Sequence, residues 1–199
     1  DLSSELKRRI MARGLGPPRS FERWAEQILV DHPDCRALVL PAGTEIAGDL
    51  DLDHDLFAEN KISTVAALGT LIIRGRLINA DSEGGPFLFV DGDLSARQIE
   101  KGGSSFIVLG NVACPGVVFC DYNQGAFLIA GSLKALAIIS CDQEIHAGGD
   151  IEGVLVSEEL GNMRELLVPE VFADTDDADD AFADGALIRE RLGAGLPVL

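Results

Sequence analysis

Two cysteines recur at a spacing that suggests a pair of neighbouring thiols. Cys120 and Cys141 are 21 residues apart, and each is followed by an aspartate. Thiolates together with a nearby imidazole, here that of His146, could bind a soft metal ion. A closed zinc site usually has four ligands, however, and buried thiols commonly act as small apolar packing groups. We therefore expect Cys120 and Cys141 to stack in the fold, unbridged and free of metal.

Three segments have the composition of ligand-binding loops, but each lacks an essential part of its motif. Residues 51–55 alternate carboxylates with Leu52 and His54 but lack the glycine and the distant glutamate of a calcium loop. Residues 174–180 place Ala178 where a third cation ligand would fall, and no lysine follows residues 102–105 as in a phosphate-binding loop. These patterns favour structural or solvated segments. We assign no catalytic residue, no metal ligand and no cofactor.

Polar residues around the chain's only tyrosine are the candidates for contact with a partner. Asp121, Tyr122 and Asn123 begin a polar turn, and His146, three residues before Gly149, is a further candidate. Tyrosine is enriched at protein interfaces. Simple turn formation is the alternative, since asparagine and glycine favour left-handed backbone conformations.

A short pattern repeats along the middle of the chain and predicts how these residues are positioned. It consists of a glycine, a polar residue and an aliphatic residue, and the glycines are 27, 17, 18, 21 and 18 residues apart. They are Gly48, Gly75, Gly92, Gly110, Gly131 and Gly149. Such a period is typical of a solenoid and is too short for a βαβ unit. The sequence therefore predicts an all-β core, a single-stranded parallel β-helix with turns of about 17–21 residues, flanked by N- and C-terminal helices.

The alternation around each glycine predicts which side chains face inward. Aliphatic residues stand two residues after the glycine, and mostly apolar residues stand two and four before it, so these positions share one face of a strand. The position three before the glycine should then point outward. In four successive turns it is large and apolar, which predicts an outward apolar stripe of Ile72, Phe89, Ile107 and Leu128.

A stripe of this kind needs a cover, because large exposed apolar patches are uncommon on monomeric proteins. The amphipathic segment 20–29, which contains Phe21, Trp24 and Ile28 on one face, is the predicted cover. The second interpretation is a homodimer that buries stripe against stripe.

The flanks divide the chain into three parts. Residues 1–36 form a helical segment that packs on the coil, with an earlier helix near residues 4–13; residues 37–156 form the β-helix; and residues 157–199 combine helices with an acidic loop. The C-terminal helices are expected to cap the open end of the coil, where the last strands would otherwise expose unpaired backbone.

The repeat resembles a known group of sequences. The segments VDGDL, VLGNV and YNQGAFLIAGSL, within residues 44–156, resemble a group of uncharacterised bacterial proteins whose turns repeat hydrophobic-x-Gly-Asp-Leu, and the closing LGAGLPVL is also similar to that group. In coil architecture the chain is similar to the bactofilins, polymer-forming bacterial cytoskeletal proteins. The resemblance implies a β-helix and assigns no functional residue. The flanking helices and the acidic tail depart from the bactofilins and argue against open-ended polymerisation.

Charge narrows the class of partner. The chain has a net charge of −17, and its basic residues are concentrated in the first 24 positions. Such a field disfavours nucleic acid and anionic membranes and favours a basic protein. Four cysteines without a metal-binding spacing favour a reduced, cytoplasmic protein.

From these features we predict a non-catalytic protein-binding or structural module, in one form an acidic inhibitor or immunity-type protein for a basic partner. The alternative is a carbohydrate-active enzyme with a carboxylate-lined groove along the coil.

Overall fold

The chain folds into a β-solenoid built from thirteen strands. The computed structural model describes residues 5–6, 8–9, 36–82, 84–121, 125–172 and 183–199. The strands are β1 (Arg36–Leu40), β2 (Thr44–Ile46), β3 (Leu50–Asp51), β4 (Ile62–Ala67), β5 (Leu71–Asn79), β6 (Phe87–Val90), β7 (Leu94–Lys101), β8 (Phe106–Val108), β9 (Val112–Asp121), β10 (Ala126–Ile129), β11 (Leu133–Cys141), β12 (Glu144–Ala147) and β13 (Ile151–Ser157). The predicted parallel β-helix is confirmed.

The strands form two parallel sheets that face each other across the core. The first sheet, sheet A, has the order β1-β4-β6-β8-β10-β12, and the second, sheet B, has the order β13-β11-β9-β7-β5-β2, with β3 also paired to β5. A rung is one strand of sheet A and the strand or strands of sheet B that follow it in the chain. Register shifts bend sheet B in the middle of its long strands.

Apolar side chains stack in columns between the two sheets. One column contains Leu94, Val112 and Leu133, which are paired in successive strands and almost fully buried. Phe106 and Phe127 meet edge to face in sheet A, with ring centroids 5.8 Å apart. A single rung has no partner for its inner face, so the neighbouring rungs together supply the core.

The six repeated glycines occupy two different corners of the coil, which corrects the predicted alignment. Gly110 donates a backbone hydrogen bond to Gly92, Gly131 to Gly110 and Gly149 to Gly131, so these four form one column after sheet A. Gly75 instead donates to Gly48 at the bend of sheet B. The Gly-Arg-Leu triplet at residues 75–77 resembles the motif but belongs to another corner.

The polar residue that follows each corner glycine explains why the glycine is there. Asp93 Oδ1 accepts a hydrogen bond from Asn111 N at 2.7 Å, Asn111 Oδ1 accepts from Ser132 N at 3.0 Å, and Ser132 Oγ accepts from Asp150 N at 3.1 Å. A Cβ atom on Gly131 would meet the Asn111 side chain as it crosses to the next rung. The repeated Gly-polar pair is therefore a side-chain ladder that joins successive rungs.

The predicted outward stripe is correct for three of its four residues. Phe89 pairs with Ile107, and Ile107 with Leu128, on the outer side of sheet A. Ile72 instead lies in sheet B, beside Glu45 and Ser95. The prediction placed it in the stripe because Gly75 was aligned with glycines that occupy another corner of the coil. Ala66 takes its place in the stripe.

The stripe is buried, and part of its cover lies near the N-terminus. Residues 5, 6, 8 and 9 are helical, Leu6 is buried in the same cluster as the stripe, and Arg9 forms an ion pair with Asp91. The residues predicted to cover the stripe, Phe21, Trp24 and Ile28, lie outside the described residues.

The C-terminal helices pack on the side of the coil and leave its end open, contrary to the predicted cap. They are α2 (Met163–Leu166), a 3-10 helix (Pro169–Val171) and α3 (Gly185–Gly193); a short helix, α1 (Asp55–Glu59), follows β3. Ile188 and Leu192 of α3 join Phe119 and Ile139 in a cluster on the outer face of sheet B. This apolar face accounts for the position of α3 on the side of the coil.

Candidate functional site

The cysteines do not form the predicted stack. Val112 pairs with Leu133, but beyond the register shift between β9 and β11 the partner of Cys120 is Ser140. The shift places Cys120 in the inner core and Cys141 in the outer cluster under α3. Both thiols are unbridged, and burial raises the pKa of each to about 12. They are packing groups on opposite faces of sheet B.

The acidic segment at residues 51–55 builds the local backbone. Asp53 accepts hydrogen bonds from Asn79 Nδ2 at 2.7 Å and from the backbone N–H groups of Ala80 and Asp81. His54 Nδ1 caps α1 by accepting from Leu56 N at 3.2 Å. In the described part of the chain, no group of three or more histidine, cysteine, aspartate or glutamate side chains is arranged to hold a metal ion.

The other two candidate ligand-binding loops are the glycine-rich residues 102–105 and the acidic residues 174–180. In residues 102–105, Ser104 Oγ donates to Pro86 O at 2.6 Å and its backbone N–H donates to Asn79 Oδ1 at 2.9 Å, so this loop closes a corner of the coil. Residues 174–180 lie outside the described residues.

The structure separates the predicted contact residues. Asp121 ends β9 in sheet B and forms an ion pair with Arg189 of α3 at 2.6 Å. His146 lies in β12 of sheet A and pairs with Leu128. Tyr122 and Asn123 lie outside the described residues. Asp121 anchors the C-terminal helix, while His146 belongs to the last rung.

A buried lysine was not predicted from the sequence. Lys101 is 1% exposed, its Nζ donates to Gly102 O at 3.1 Å, and the same atom lies 5.6 Å from the centre of the Phe106 ring. Burial lowers the pKa of this ammonium to about 8. It belongs to an inner column of Asn79, Lys101, Cys120, Ser140 and Ser157. Lys101 ends β7, a strand with several polar residues, so the sequence did not indicate that its side chain is buried.

The last two residues of this column, Ser140 and Ser157, line a pocket at the surface. A pocket of about 500 Å³ opens there, lined by Ser140, Asp142, Gln143, Glu144, Ile145, Ser157, Glu158 and Glu159. Four of these eight residues are acidic. In the sequence, residues 135–163 contain six acidic residues and no lysine or arginine. This run of acidic residues is visible in the sequence, but only the structure shows that it lies at the end of the coil.

Exposed apolar residues lie beside this pocket, along β13. Ile151 is 46% exposed, Val154 is 43% exposed and Leu155 is 42% exposed. Among the described strands, β13 pairs only with β11. The side chain of Asn162 also hydrogen-bonds to the end of β13, donating to Leu155 O at 2.8 Å and accepting from Ser157 N at 3.1 Å. We call β12, β13 and the pocket together the end face. It combines carboxylates with exposed apolar side chains on the last strand of sheet B.

No helix in the described ranges has both the length and the apolar character needed to cross a membrane. Comparisons of the chain with protein-family models, with curated proteins and with solved structures gave no match. The function is therefore inferred from the geometry of the end face.

Proposed function

We propose that this protein is a non-catalytic protein-binding module and that its partner is a basic protein. The observation that carries the proposal is the end face, where an acidic pocket lies at the end of β13 and Ile151, Val154 and Leu155 are exposed along the same strand. Complementary charge accelerates association and selects partners, and the exposed apolar residues supply area that is favourable to bury. An acidic inhibitor of a basic protein, such as an immunity-type protein, is the specific form of this function that the charge favours.

The carboxylates of the repeated motif support a structural role along the sides of the coil. Asp93 binds the next rung through Asn111, and Asp49 binds the backbone N–H of Arg76 at 2.7 Å and its guanidinium at 3.0 Å. These acids hold rungs together. In the end face, Glu152 pairs with Lys134 of the preceding rung at 2.6 Å, while the carboxylates of the pocket lie on the last described rung, where their accessible position favours contact with another molecule.

The test is capture of a partner from a lysate of the native host by the immobilised protein at low and high salt. One variant neutralises the end face by substituting Asp142→Asn, Glu144→Gln, Glu158→Gln and Glu159→Gln. A control variant makes the same change in charge at exposed positions elsewhere, by substituting Asp55→Asn, Glu59→Gln, Glu170→Gln and Glu190→Gln.

We expect one basic protein to bind stoichiometrically at low salt, to dissociate at high salt, and to be lost with the end-face variant but kept by the control. Equal capture by both variants would reject the end face as the binding surface. The absence of any salt-sensitive basic partner would reject the proposed function.

A further inference from the structure

An apolar groove lies at the opposite end of the coil from the end face. It has a volume of about 450 Å³ and lies between β1, β3 and α1. Its apolar lining residues are Leu38, Leu50, Leu56, Phe57 and Ile62. Leu56 is 56% exposed and Leu38 is 36% exposed. We call this surface the first-rung groove, because β1, β2 and β3 form the first rung.

The first-rung groove is one end of the inner core. Leu38 pairs with Val65 and Leu50 pairs with Leu77, and both partners are fully buried. The same columns of side chains that fill the later rungs therefore reach the surface here. Burying a large aliphatic side chain is worth about 1.5–3 kcal/mol, so a cover over the exposed leucines is favourable.

The part of the chain that precedes β1 is attached to the coil on both sides. Arg9 forms an ion pair with Asp91, which follows the third strand of sheet A, and Arg36 begins the first strand. Residues 10–35 connect these two points and lie outside the described residues. The six residues that separate the amphipathic segment 20–29 from Arg36 span at most about 22 Å when extended. The first-rung groove, to which β1 contributes, is therefore within reach of this segment.

The outward stripe is accounted for by an earlier part of the chain. Leu6 is buried in the same cluster as the stripe, which places the predicted helix near residues 4–13 on it. Ten helical residues extend about 15 Å, and the three strand spacings from Ala66 to Leu128 amount to about 14 Å. One helix is thus long enough to cover the stripe. The apolar face of the segment 20–29 needs another surface.

Charge favours the same assignment. Residues 37–60 contain six acidic residues and no lysine or arginine. Two of these acids, Asp55 and Glu59, are exposed on α1 and flank the residues that line the groove. Residues 13–23 contain three arginines and one glutamate. The segment and the groove therefore have complementary charge as well as complementary apolar surfaces.

We propose that the segment 20–29 docks in the first-rung groove of its own chain and places Phe21, Trp24 and Ile28 against the exposed leucines. The proposal does not depend on the proposed function. It gives the two ends of the coil different tasks: the first rung binds the N-terminal segment of the same chain, and the last rung presents the end face to a partner.

Trp24 is the only tryptophan of the chain, so its indole ring reports the position of the segment. Nuclear Overhauser effects between this ring and methyl groups, measured by NMR on the labelled full chain, are the direct test. We expect contacts with the methyl groups of Leu38 and Leu50. Contacts with Ile107 and Leu128 would place the segment on the stripe and overturn the proposal, and so would the absence of contacts with any methyl group of the coil.

Two matched variants test the groove by fluorescence. Leu56→Glu places a charge in the groove, and Leu160→Glu places one near the other end of the coil; both leucines are 56% exposed. We expect Leu56→Glu to move Trp24 emission to longer wavelength and to raise its quenching by acrylamide at least twofold. Leu160→Glu should change neither. Circular dichroism and thermal unfolding verify that both variants are folded, and an equal response of the two would contradict the docking.

Two further measurements exclude other occupants of the groove. In a mixture of differently labelled copies, Trp24 contacts between copies would show that a second chain supplies the segment, which rejects docking within one chain. Capture of the basic host partner by the Leu56→Glu and end-face variants separates this proposal from the proposed function. If only Leu56→Glu loses the partner, the groove belongs to that partner; if only the end-face variant loses it, both the docking and the proposed function are supported.

Discussion

The inner rungs and the last rung contain the same columns of side chains but differ in what lies beyond them. Leu133 is fully buried because β13 covers it, whereas Ile151, one rung further in the same column, is nearly half exposed. Carboxylates differ in the same way. Asp93 accepts a hydrogen bond from the next rung, while Asp142, Glu144, Glu158 and Glu159 surround an open pocket. In a solenoid, the burial and the contacts of a repeated position therefore depend on whether a further rung follows it.

The largest expected effect tests this difference in the apolar column. Leu133→Ala should lower the free energy of unfolding by about 2–5 kcal/mol, because it leaves a cavity between two covered rungs. Ile151→Ala should cost less than about 1 kcal/mol, because water already reaches this side chain. Urea unfolding of both variants measures the two costs. Similar values would show that the last rung is covered in solution and that the end face does not exist as described.

The next effect concerns a charge inside an inner rung. Since burial lowers the pKa of Lys101 to about 8, the folded state holds its proton less tightly than the unfolded state does. At Lys101 the unfolded chain therefore binds more protons between about pH 8 and the usual range of lysine, and this residue's own contribution to stability should rise with pH across that interval by on the order of 2 kcal/mol. Buried thiols such as Cys120, whose pKa is raised to about 12, contribute in the opposite direction, so the lysine is measured as a difference between variants. Below pH 8 this contribution is absent, because the lysine is charged in both states.

Lys101→Met should remove the rise with pH and increase stability at neutral pH. The carbonyl of Gly102 keeps a hydrogen bond from Gln143 Nε2 at 3.0 Å, so the substitution leaves that acceptor satisfied. Lys134→Met is the control, because Lys134 is exposed and its pKa is raised by a hydrogen bond from its ammonium to Glu152. Chemical unfolding from pH 7 to 10.5 compares the variants. A difference in stability between the wild type and Lys101→Met that does not change with pH over this range would contradict the burial of the lysine charge.

The sequence was sufficient to predict the solenoid because aliphatic residues recur wherever two rungs must pack. Register was harder to predict, because a shift within a strand leaves the apolar pattern intact. The shift between β9 and β11 moves Cys120 opposite Ser140, and the triplet at Gly75 imitates the motif of another corner. The first error came from assuming that the register stays constant along a strand pair, and the second from aligning a triplet by its residue types alone.

The end face could be predicted only in part. The run without basic residues after Lys134 is plain in the sequence, and it indicates an acidic surface. Nothing in the pattern shows that the coil stops at β13, because Ile151 follows Gly149 and Asp150 as Leu133 follows Gly131 and Ser132. Whether α3 covers the end or the side depends on the apolar outer face of sheet B. That face lies in the second halves of β9 and β11, beyond the positions that the alternation around each glycine assigns to a face.

The smallest expected effect compares the polar ladder with its last member. Asp93→Ala removes the acceptor for Asn111 N and Nδ2, so it should cost about 0.5–1.5 kcal/mol, the usual net value of a hydrogen bond. Asp150 stands at the corresponding position of the last rung, where no described rung follows, and Asp150→Ala should change stability by less than about 0.5 kcal/mol. Because both side chains are exposed and lose one charge, the difference isolates the ladder bond. Equal costs in urea unfolding would mean that the ladder adds no stability, and that the Gly-polar pair is retained for the tight corner alone.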